Sequence, residues 1–387
     1  MELEAPLAGR SAIRPARRLD SIEISLIRRI NALATPLSIN LGLGEPNLEP
    51  DGELLEMARR AASTRSWRYS PNAGTLTLRE RIAATAGHTV DPKSGICVTA
   101  GTEEGLYAVI QAFVSEGDEV LLPDPGFVSY EALTRLAGGV PVAYRLDSDG
   151  WGIDLEEIRD RLTDRTKAIV VNSPSNPTGG VIDEATLDAL AAMSDERNLL
   201  LISDEVYREI HYGERPASLL GRGGNTIVLS GLSKSHGATG LRIGWVIARE
   251  ELIAPIVTMH QYVTTCASVF SQALAEEIFE NDEWNRGWLA KVRLQFLRQR
   301  DAALLAVEGS LHVSVIPPAG AFYLFVPIPR CDSVATAISL ATDAAVLAIP
   351  GAAFGRGGEG FLRLSFATTV ENIQHGIERI GRFFEAT

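Results

Sequence analysis

Short apolar runs alternate with longer amphipathic segments through the middle of the chain. The apolar runs occupy positions 96–99, 119–122, 141–144, 168–171, 199–203, 226–229 and 243–248. Between them, apolar residues recur at helical spacing in the segments 103–114, 128–136 and 184–196. Strands that alternate with helices form a mostly parallel sheet with helices on both faces. The pattern therefore predicts an α/β fold around a mostly parallel, seven-stranded sheet.

A different pattern occupies the two ends of the chain. After position 248 the periodicity is helical to about 307, with one long helix from near 282 past 300. The remaining tail alternates short strands, at 320–325, 346–349 and 361–366, with helices. Behind an arginine-rich arm, a helix is predicted at 22–33, and a strand that runs into a Gly-Glu-Pro turn is predicted at 39–46. These segments predict a smaller α+β domain.

The patterns together divide the chain into three parts. Residues 1–45 form the arm and part of the small domain, residues 46–285 the large domain, and residues 286–387 the C-terminal small domain. No internal repeat and no low-complexity linker interrupts these parts.

Composition narrows the class of protein. A hydrophobic content of 45% and a charged content of 22% are typical of a folded globular chain. A net charge of −13 argues against non-specific nucleic-acid binding. No apolar run is long enough to span a bilayer, and the acidic start shows no signal peptide. The three cysteines and six histidines show no metal-ligand spacing. Reduced thiols and a cytoplasmic location are expected.

The run 230–245, rich in glycine and hydroxyl residues, holds the most specific chemistry. Lys234 lies eight positions before Arg242, directly after an apolar run. A lysine forms a Schiff base with an aldehyde, and an arginine grips a phosphate through two parallel hydrogen bonds. Together they indicate pyridoxal 5'-phosphate (PLP), an aldehyde that carries a phosphate. The alternative is that Lys234 is a solvated loop lysine.

The other lysines are less suitable. The chain has only three besides Lys234, namely Lys93, Lys167 and Lys291. Lys167 precedes an apolar run and so lies at the N-terminal end of a strand, whereas ligands bind at the C-terminal ends in open α/β sheets. Lys93 follows an Asp-Pro turn, and Lys291 lies in a charged helical segment.

Polar side chains follow two further predicted strands. Asp204 ends the run 199–203, where a carboxylate is costly unless it meets a cation such as the PLP pyridinium. Tyr207 is placed to bring a phenol to the same ring. Asn176, in Asn-Pro-Thr-Gly after the run 168–171, is placed to meet the ring O3′ oxygen. The alternatives are an aspartate that caps a turn and an asparagine that serves a turn.

Two further segments fit the same ligand. Gly101, Thr102 and Glu103 follow the run 96–99 and open a helix, and free amides at a helix N-terminus suit a phosphate. Phe127, in Pro-Asp-Pro-Gly-Phe, is placed to stack on the cofactor ring, unless it is an ordinary core residue.

These motifs together resemble the class I aminotransferases of the fold-type I PLP-dependent family. The resemblance rests on four motifs: Gly-Glu-Pro at 44–46, Asn-Pro-Thr-Gly at 176–179, Asp-Glu-Val-Tyr at 204–207, and Ser-Lys at 233–234 with Arg242. The resemblance is closest to the bacterial aspartate, aromatic and methionine branch, and it covers nearly the whole chain. It implies transfer of an amino group from an amino acid to a 2-oxo acid.

The resemblance also implies roles for individual residues. Lys234 is the Schiff-base lysine and proton shuttle, Asp204 pairs with the pyridinium, and Tyr207 and Asn176 bind O3′. The phosphate site is made of Arg242, Ser233, Gly101 and the amides of Thr102 and Glu103. Arg363 binds the substrate α-carboxylate with help from Gly44 and Asn176. Tyr69 reaches the phosphate of the neighbouring subunit, which implies a homodimer with shared active sites.

The chain departs from the family pattern at two places. Gly231 stands where many relatives have a serine, so either Ser230 or Ser233 supplies the phosphate hydroxyl. Glu103 stands where some dicarboxylate-specific relatives have a lysine. If Glu103 faces the substrate, neutral or aromatic donors are expected to react better than aspartate. Otherwise it stabilises its helix N-terminus.

Two other functions fit parts of the pattern. A C–S or β-elimination lyase uses the same fold and cofactor. A PLP-sensing regulator needs a DNA-binding module, for which the roughly forty residues before the core leave little room.

Overall fold

A seven-stranded sheet forms the centre of the protein. The computed structural model describes residues 14–64, 67–87, 90–147, 149–329 and 332–386. The sheet strands are β2 (Ile96–Thr99), β3 (Glu119–Asp124), β4 (Val140–Arg145), β5 (Thr166–Asn172), β6 (Leu200–Asp204), β7 (Thr226–Gly231) and β8 (Gly244–Ile247). Their spatial order is β2-β8-β7-β6-β5-β3-β4, and only β8 runs antiparallel to its neighbours. The predicted α/β fold with a mostly parallel sheet is confirmed.

Helices cover both faces of this sheet and build the remainder of the fold. They are α1 (Leu26–Asn31), α2 (Gly52–Thr64), α3 (Leu76–Thr85), α4 (Thr102–Phe113), α5 (Val128–Leu136), α6 (Leu155–Arg161), α7 (Glu184–Glu196), α8 (Glu250–Val263), α9 (Val269–Glu280), α10 (Asp282–Leu311), α11 (Ser333–Asp343) and α12 (Val370–Ala386). The central strands are buried on both faces, as in β6, where every residue is buried. This burial explains why they are continuous apolar runs in the sequence.

A smaller sheet lies beside the first. It has three antiparallel strands in the order β11 (Ile349–Pro350), β12 (Phe361–Ser365) and β9 (Tyr323–Pro327). A separate parallel pair joins β1 (Ile39–Asn40) to β10 (Val346–Leu347). With α10, α11 and α12 these strands make the expected α+β part.

The structure corrects three predicted elements. The helix expected at 22–33 is shorter, because Ser25 accepts a hydrogen bond from the Arg28 amide and caps α1 there. The strand expected at 39–46 ends at Asn40, whose side-chain oxygen accepts the Gly42 amide and turns the chain away. The strand expected at 346–349 is divided between two sheets, since β10 pairs with β1 and β11 with β12.

The longest helix crosses the predicted domain boundary. α10 has 30 residues and continues through position 285, so its first turn lies on one side of the boundary and the rest on the other. The arm before residue 14 and Cys331 lie outside the described residues. Among the residues that the structure describes, no helix is long and apolar enough to cross a membrane.

Candidate active site

Asp204 lies at the C-terminal end of β6, in the middle of the large sheet. Its side chain is buried, and the Tyr130 hydroxyl donates a hydrogen bond to Oδ2 at 2.9 Å. Burial raises the pKa of Asp204 to about 6, although the Tyr130 and Val206 hydrogen bonds act in the opposite direction. A buried carboxylate held mainly by neutral donors is a suitable partner for a cationic pyridine nitrogen.

Lys234 follows β7 and faces the same end of the sheet. Its Nζ donates to the Gly44 carbonyl oxygen at 2.8 Å. Burial, together with the positive charges of Arg363 and Arg242, lowers the pKa of Lys234 to about 8. Asp204 and Glu45 raise it. A lysine whose pKa lies near 8 is partly neutral at physiological pH, as a nucleophilic amine must be.

A cradle for an anion lies where α4 begins. Gly101 has a φ of +88°, and an added Cβ would lie 2.6 Å from Nη2 of Arg242. Only glycine therefore allows the Arg242 guanidinium to approach the start of α4 so closely. Thr102 and Glu103 occupy the first turn, where the helix supplies no acceptor for backbone amides. A guanidinium beside such amides fits the phosphate of PLP.

The structure explains the glycine at position 231. An added Cβ there would lie 2.8 Å from the Ile243 carbonyl oxygen and 3.0 Å from Thr102 Oγ1. The Thr102 hydroxyl, which donates to the Ser230 carbonyl oxygen at 3.3 Å, occupies this space. Thr102 thus supplies a hydroxyl at the cradle. The sequence analysis considered only Ser230 and Ser233 as sources of this hydroxyl. Ser233 is buried and Ser230 half-buried, and the choice between them stays open.

Arg363 lies on β12, the middle strand of the small sheet, and is 2% exposed. Its Nη1 donates to Asn176 Oδ1 at 2.9 Å and its Nη2 to the Gly42 carbonyl oxygen at 2.6 Å. The guanidinium carbon lies 4.4 Å from the Tyr323 ring centroid and 4.9 Å from that of Phe354. Among the described residues, Nε is buried without a hydrogen-bond partner. Both acceptors are neutral oxygens, so the Arg363 guanidinium is suited to bind the carboxylate of an incoming ligand.

Two tyrosines that the sequence argument did not assign belong to this site. Tyr323 forms a 2.7 Å hydroxyl–hydroxyl hydrogen bond with Tyr207, and an added Cβ on Gly44 would lie 2.6 Å from its oxygen. Tyr323 therefore contacts both Tyr207 and the Arg363 guanidinium. Tyr130 was missed because its position in the first turn of α5 looks like an ordinary core position. Its hydrogen-bond partner, Asp204, lies 74 positions away in the sequence, so no local pattern links the two residues.

The other predicted residues lie at the rim. Phe127 is half-buried and packs edge-on against Tyr130, with ring centroids 5.6 Å apart. Glu103 is exposed, and its charge contributes to the raised pKa of Asp204, which places it on the same side of α4 as the site. Tyr69 is 84% exposed, and among the described residues it makes no hydrogen bond or ring contact with these groups.

The fold and the site define a class of protein. A lysine, an aspartate and an arginine-lined anion cradle meet at the C-terminal edge of a mostly parallel α/β sheet, as in PLP-dependent enzymes that act on amino acids. The family model described as aminotransferase class I and II matches residues 37–380. The chain belongs to this family.

Individual relatives match over nearly their whole length. A probable aspartate aminotransferase of Methanocaldococcus jannaschii is 36% identical over 378 residues, which cover 95% of this chain and 99% of that protein. An aromatic-amino-acid aminotransferase of Thermococcus litoralis is 32% identical and covers 94% of this chain and 96% of its own length. The crystal structure of the Thermus thermophilus aspartate aminotransferase with maleate has a TM-score of 0.90 at 33% identity, covering 96% of this chain and 100% of its own.

These findings establish the general activity. The chain is a PLP-dependent aminotransferase, which transfers an amino group between amino acids and oxo acids. The resemblance stated from the motifs is confirmed, and the comparisons favour neither the lyase nor the regulator. The roles of individual site residues, the donor side chain and the oligomeric state are proposed below.

Proposed function

We propose that Asp204, Lys234 and Arg363 are the central residues of the aminotransferase site. PLP, when bound, supplies an electron sink for the carbanion formed at the substrate Cα. The position of the buried Asp204 carboxylate, one strand away from the lysine-bearing loop, is the observation that carries this proposal. It keeps the pyridine nitrogen protonated, while Tyr207 and Asn176 orient the ring.

Lys234 has two tasks in this proposal. Its amine anchors the cofactor between catalytic cycles, and once displaced by the amino donor it carries a proton away from the substrate Cα. A pKa near 8 leaves it able to accept and return a proton near neutral pH. The Gly44 carbonyl, which accepts from Nζ at 2.8 Å, holds the amine on the side of the site where the substrate carboxylate would lie.

Arg363 orients the substrate. Its two hydrogen bonds, to Asn176 and Gly42, and its two aromatic neighbours leave the guanidinium little freedom to rotate. A fixed, planar guanidinium selects a carboxylate by geometry as well as by charge. Asn176 then links the carboxylate side of the site to the ring-binding side.

Replacing Arg363 by lysine tests this role. We expect Arg363→Lys to raise KM for amino donors about tenfold or more, because an ammonium cannot make the paired contacts. The visible absorption of bound PLP should stay nearly unchanged. Stopped-flow half-reactions and a PLP titration measure the two effects separately. Equal loss of cofactor and substrate affinity would show that Arg363 holds the fold instead.

The preferred donor is proposed to carry a neutral or aromatic side chain. Glu103 is exposed at the site end of α4, and its charge acts on Asp204, so a second substrate carboxylate on that side would meet like charge. The names of the relatives divide on this point, since they include both aspartate and aromatic aminotransferases. The argument therefore depends on Glu103 rather than on those names.

The Glu103→Lys variant tests the donor preference. We expect wild-type kcat/KM to be higher for methionine or phenylalanine than for aspartate, and the variant to shift the ratio toward aspartate by about tenfold. Glu80→Lys, a charge reversal on α3, is the control. Glu104 is unsuitable as a control position, because its carboxylate accepts the Ala100 amide at the start of α4. Efficient use of aspartate by the wild type, or an unchanged ratio in the variant, would contradict the proposal.

We also propose that two chains share their active sites. Trp67, Tyr69 and Tyr262 are 86%, 84% and 83% exposed, an unusual exposure for large aromatic side chains. The Asn72 side chain donates to the Thr265 carbonyl oxygen at 2.8 Å, so the segments that bear Tyr69 and Tyr262 lie side by side. A second copy of the chain would cover them and bring its own Tyr69 to the first site.

Subunit mixing tests this arrangement. Tyr69→Ala and Lys234→Ala chains should each have little activity alone. A mixture should regain activity after subunit exchange, because each mixed dimer has one site with both native residues. Sedimentation should show dimers for the wild type and for both variants. Monomers, or a mixture that regains no activity, would refute shared active sites.

The domain division at residues 45 and 285 and the cytoplasmic location stay predictions. Limited proteolysis tests the first, and cell fractionation tests the second.

A further inference from the structure

A buried histidine–glutamate hydrogen-bonded pair lies directly behind the anion cradle. Glu104, in the first turn of α4, accepts a hydrogen bond from His260 Nδ1 on α8, which lies 3.0 Å from both carboxylate oxygens. The His260 side chain is 0% exposed and that of Glu104 only 12%. Nothing in the proposed reaction uses either residue.

The environment of the second ring nitrogen of His260, Nε2, indicates which contact holds the side chain in place. Among the described residues, Nε2 is buried and has no hydrogen-bond partner. A buried polar atom without a partner costs free energy, so an apolar residue would suit a purely packing role better. Within the described part of the chain, the hydrogen bonds of the His260 side chain are those to Glu104, and they offset the cost.

Glu104 in turn shapes the loop of the cradle. Its Oε2 accepts the backbone amide of Ala100 at 3.1 Å. Ala100 immediately precedes Gly101, whose positive φ allows Arg242 to approach. Because His260 holds both carboxylate oxygens, Glu104 can present Oε2 to Ala100 in only one orientation. The pair thereby fixes the peptide that leads into the amides of Thr102 and Glu103.

The pair also reduces the repulsion between the Glu104 carboxylate and a bound phosphate. A carboxylate in the same helical turn as an anion site would repel a bound phosphate, and the hydrogen bond from the His260 N–H partly offsets this negative charge. We propose that His260 is a positioning residue which acts through Glu104 to give the cradle its affinity for the phosphate of PLP. This inference rests on the proposed placement of the phosphate at Gly101, Thr102, Glu103 and Arg242.

The test compares PLP with pyridoxal, which lacks the phosphate. Dissociation constants for both are measured with the full-length chain by equilibrium dialysis, and the phosphorus-31 chemical shift of bound PLP is recorded. His260→Leu should weaken PLP binding about tenfold, the effect of one lost hydrogen bond to a charged group, and shift the phosphorus signal. Pyridoxal binding should change less than about twofold, since it makes no contact with the cradle.

Matched variants separate positioning from folding. His260→Asn keeps a donor near the Nδ1 position and should recover most of the PLP affinity. His375→Leu, at an exposed position on α12, should change neither ligand. Equal weakening of PLP and pyridoxal by His260→Leu, or no effect on PLP, overturns the inference. If His260→Leu does not fold, His260→Gln replaces it, because the glutamine amide imitates Nε2 rather than Nδ1 and so leaves Glu104 without its donor; it should again weaken PLP selectively.

The wild type distinguishes this inference from the proposed site. If wild-type protein binds PLP no more tightly than pyridoxal, the phosphate placement itself is wrong. If it prefers PLP and His260→Leu retains the full preference, only the role of His260 is wrong.

Discussion

Lys234→Ala is expected to abolish both turnover and the visible absorption band of the lysine-linked cofactor. No other amine replaces it, because the remaining three lysines lie elsewhere in the fold. The expected fall in kcat is at least about 10⁴-fold, the upper end of what a positioned acid–base group contributes. Single-turnover kinetics with a neutral amino acid and an absorbance scan of the purified protein measure the two effects.

Lys167→Ala is the matched control for this result. Lys167 is near the N-terminal end of β5, whereas the candidate site lies at the C-terminal end of the sheet. Its removal should leave both the spectrum and kcat unchanged. A Lys234→Ala protein that keeps both the band and turnover would show that Lys234 is only a loop residue.

Replacing Asp204 by asparagine should produce the second-largest loss. The substitution preserves shape but removes the charge that faces the pyridine nitrogen, and losing one partner of a buried charge pair costs about 2–5 kcal/mol. We therefore expect kcat to fall about a hundredfold or more. Tyr130→Phe, which removes only the hydroxyl that donates to Oδ2, should cost much less. A fall of the same size in both variants would indicate a general packing defect.

The pH dependence of cofactor binding gives Asp204 an independent signature. Burial raises its pKa to about 6, so in the cofactor-free chain the carboxyl is neutral below that pH and charged above it. Only the charged form pairs with a pyridinium. Wild-type PLP affinity should therefore fall as the pH is lowered through about 6, and this step should be absent from Asp204→Asn. Dialysis between pH 5 and 8 would show it.

The large sheet could be predicted from the sequence because its central strands are buried on both faces. β2 begins and ends where the apolar run does, and β6 ends at Asp204, one residue beyond the run at 199–203. Because these strands are buried, few polar residues interrupt their apolar runs. Within residues 39–46 the predicted strand was too long, since the Asn40 side-chain oxygen accepts the Gly42 and Leu43 amides and ends β1. Such local competition is not visible in hydrophobic periodicity.

The sequence could single out candidate site residues where one residue type carries the chemistry, as in Lys234 and Arg242, whose roles stay predictions. The site was not predictable where chemistry depends on contacts between distant segments. Tyr323 meets Tyr207 across 116 positions, and Glu104 meets His260 across 156. Neither pair has a spacing or a composition that distinguishes it, so only the fold reveals it.

The arginine on the small sheet has a consequence for the kinetics of the whole cycle. An amino donor and an oxo-acid acceptor both carry an α-carboxylate, and Arg363, enclosed by Tyr323 and Phe354, offers one place for it. With Arg363 in its proposed role, the two substrates bind in turn, and an excess of either one occupies the arginine that the other needs. The concentrations of competing carboxylates, as well as the affinity for one donor, would then set the rate of the full cycle.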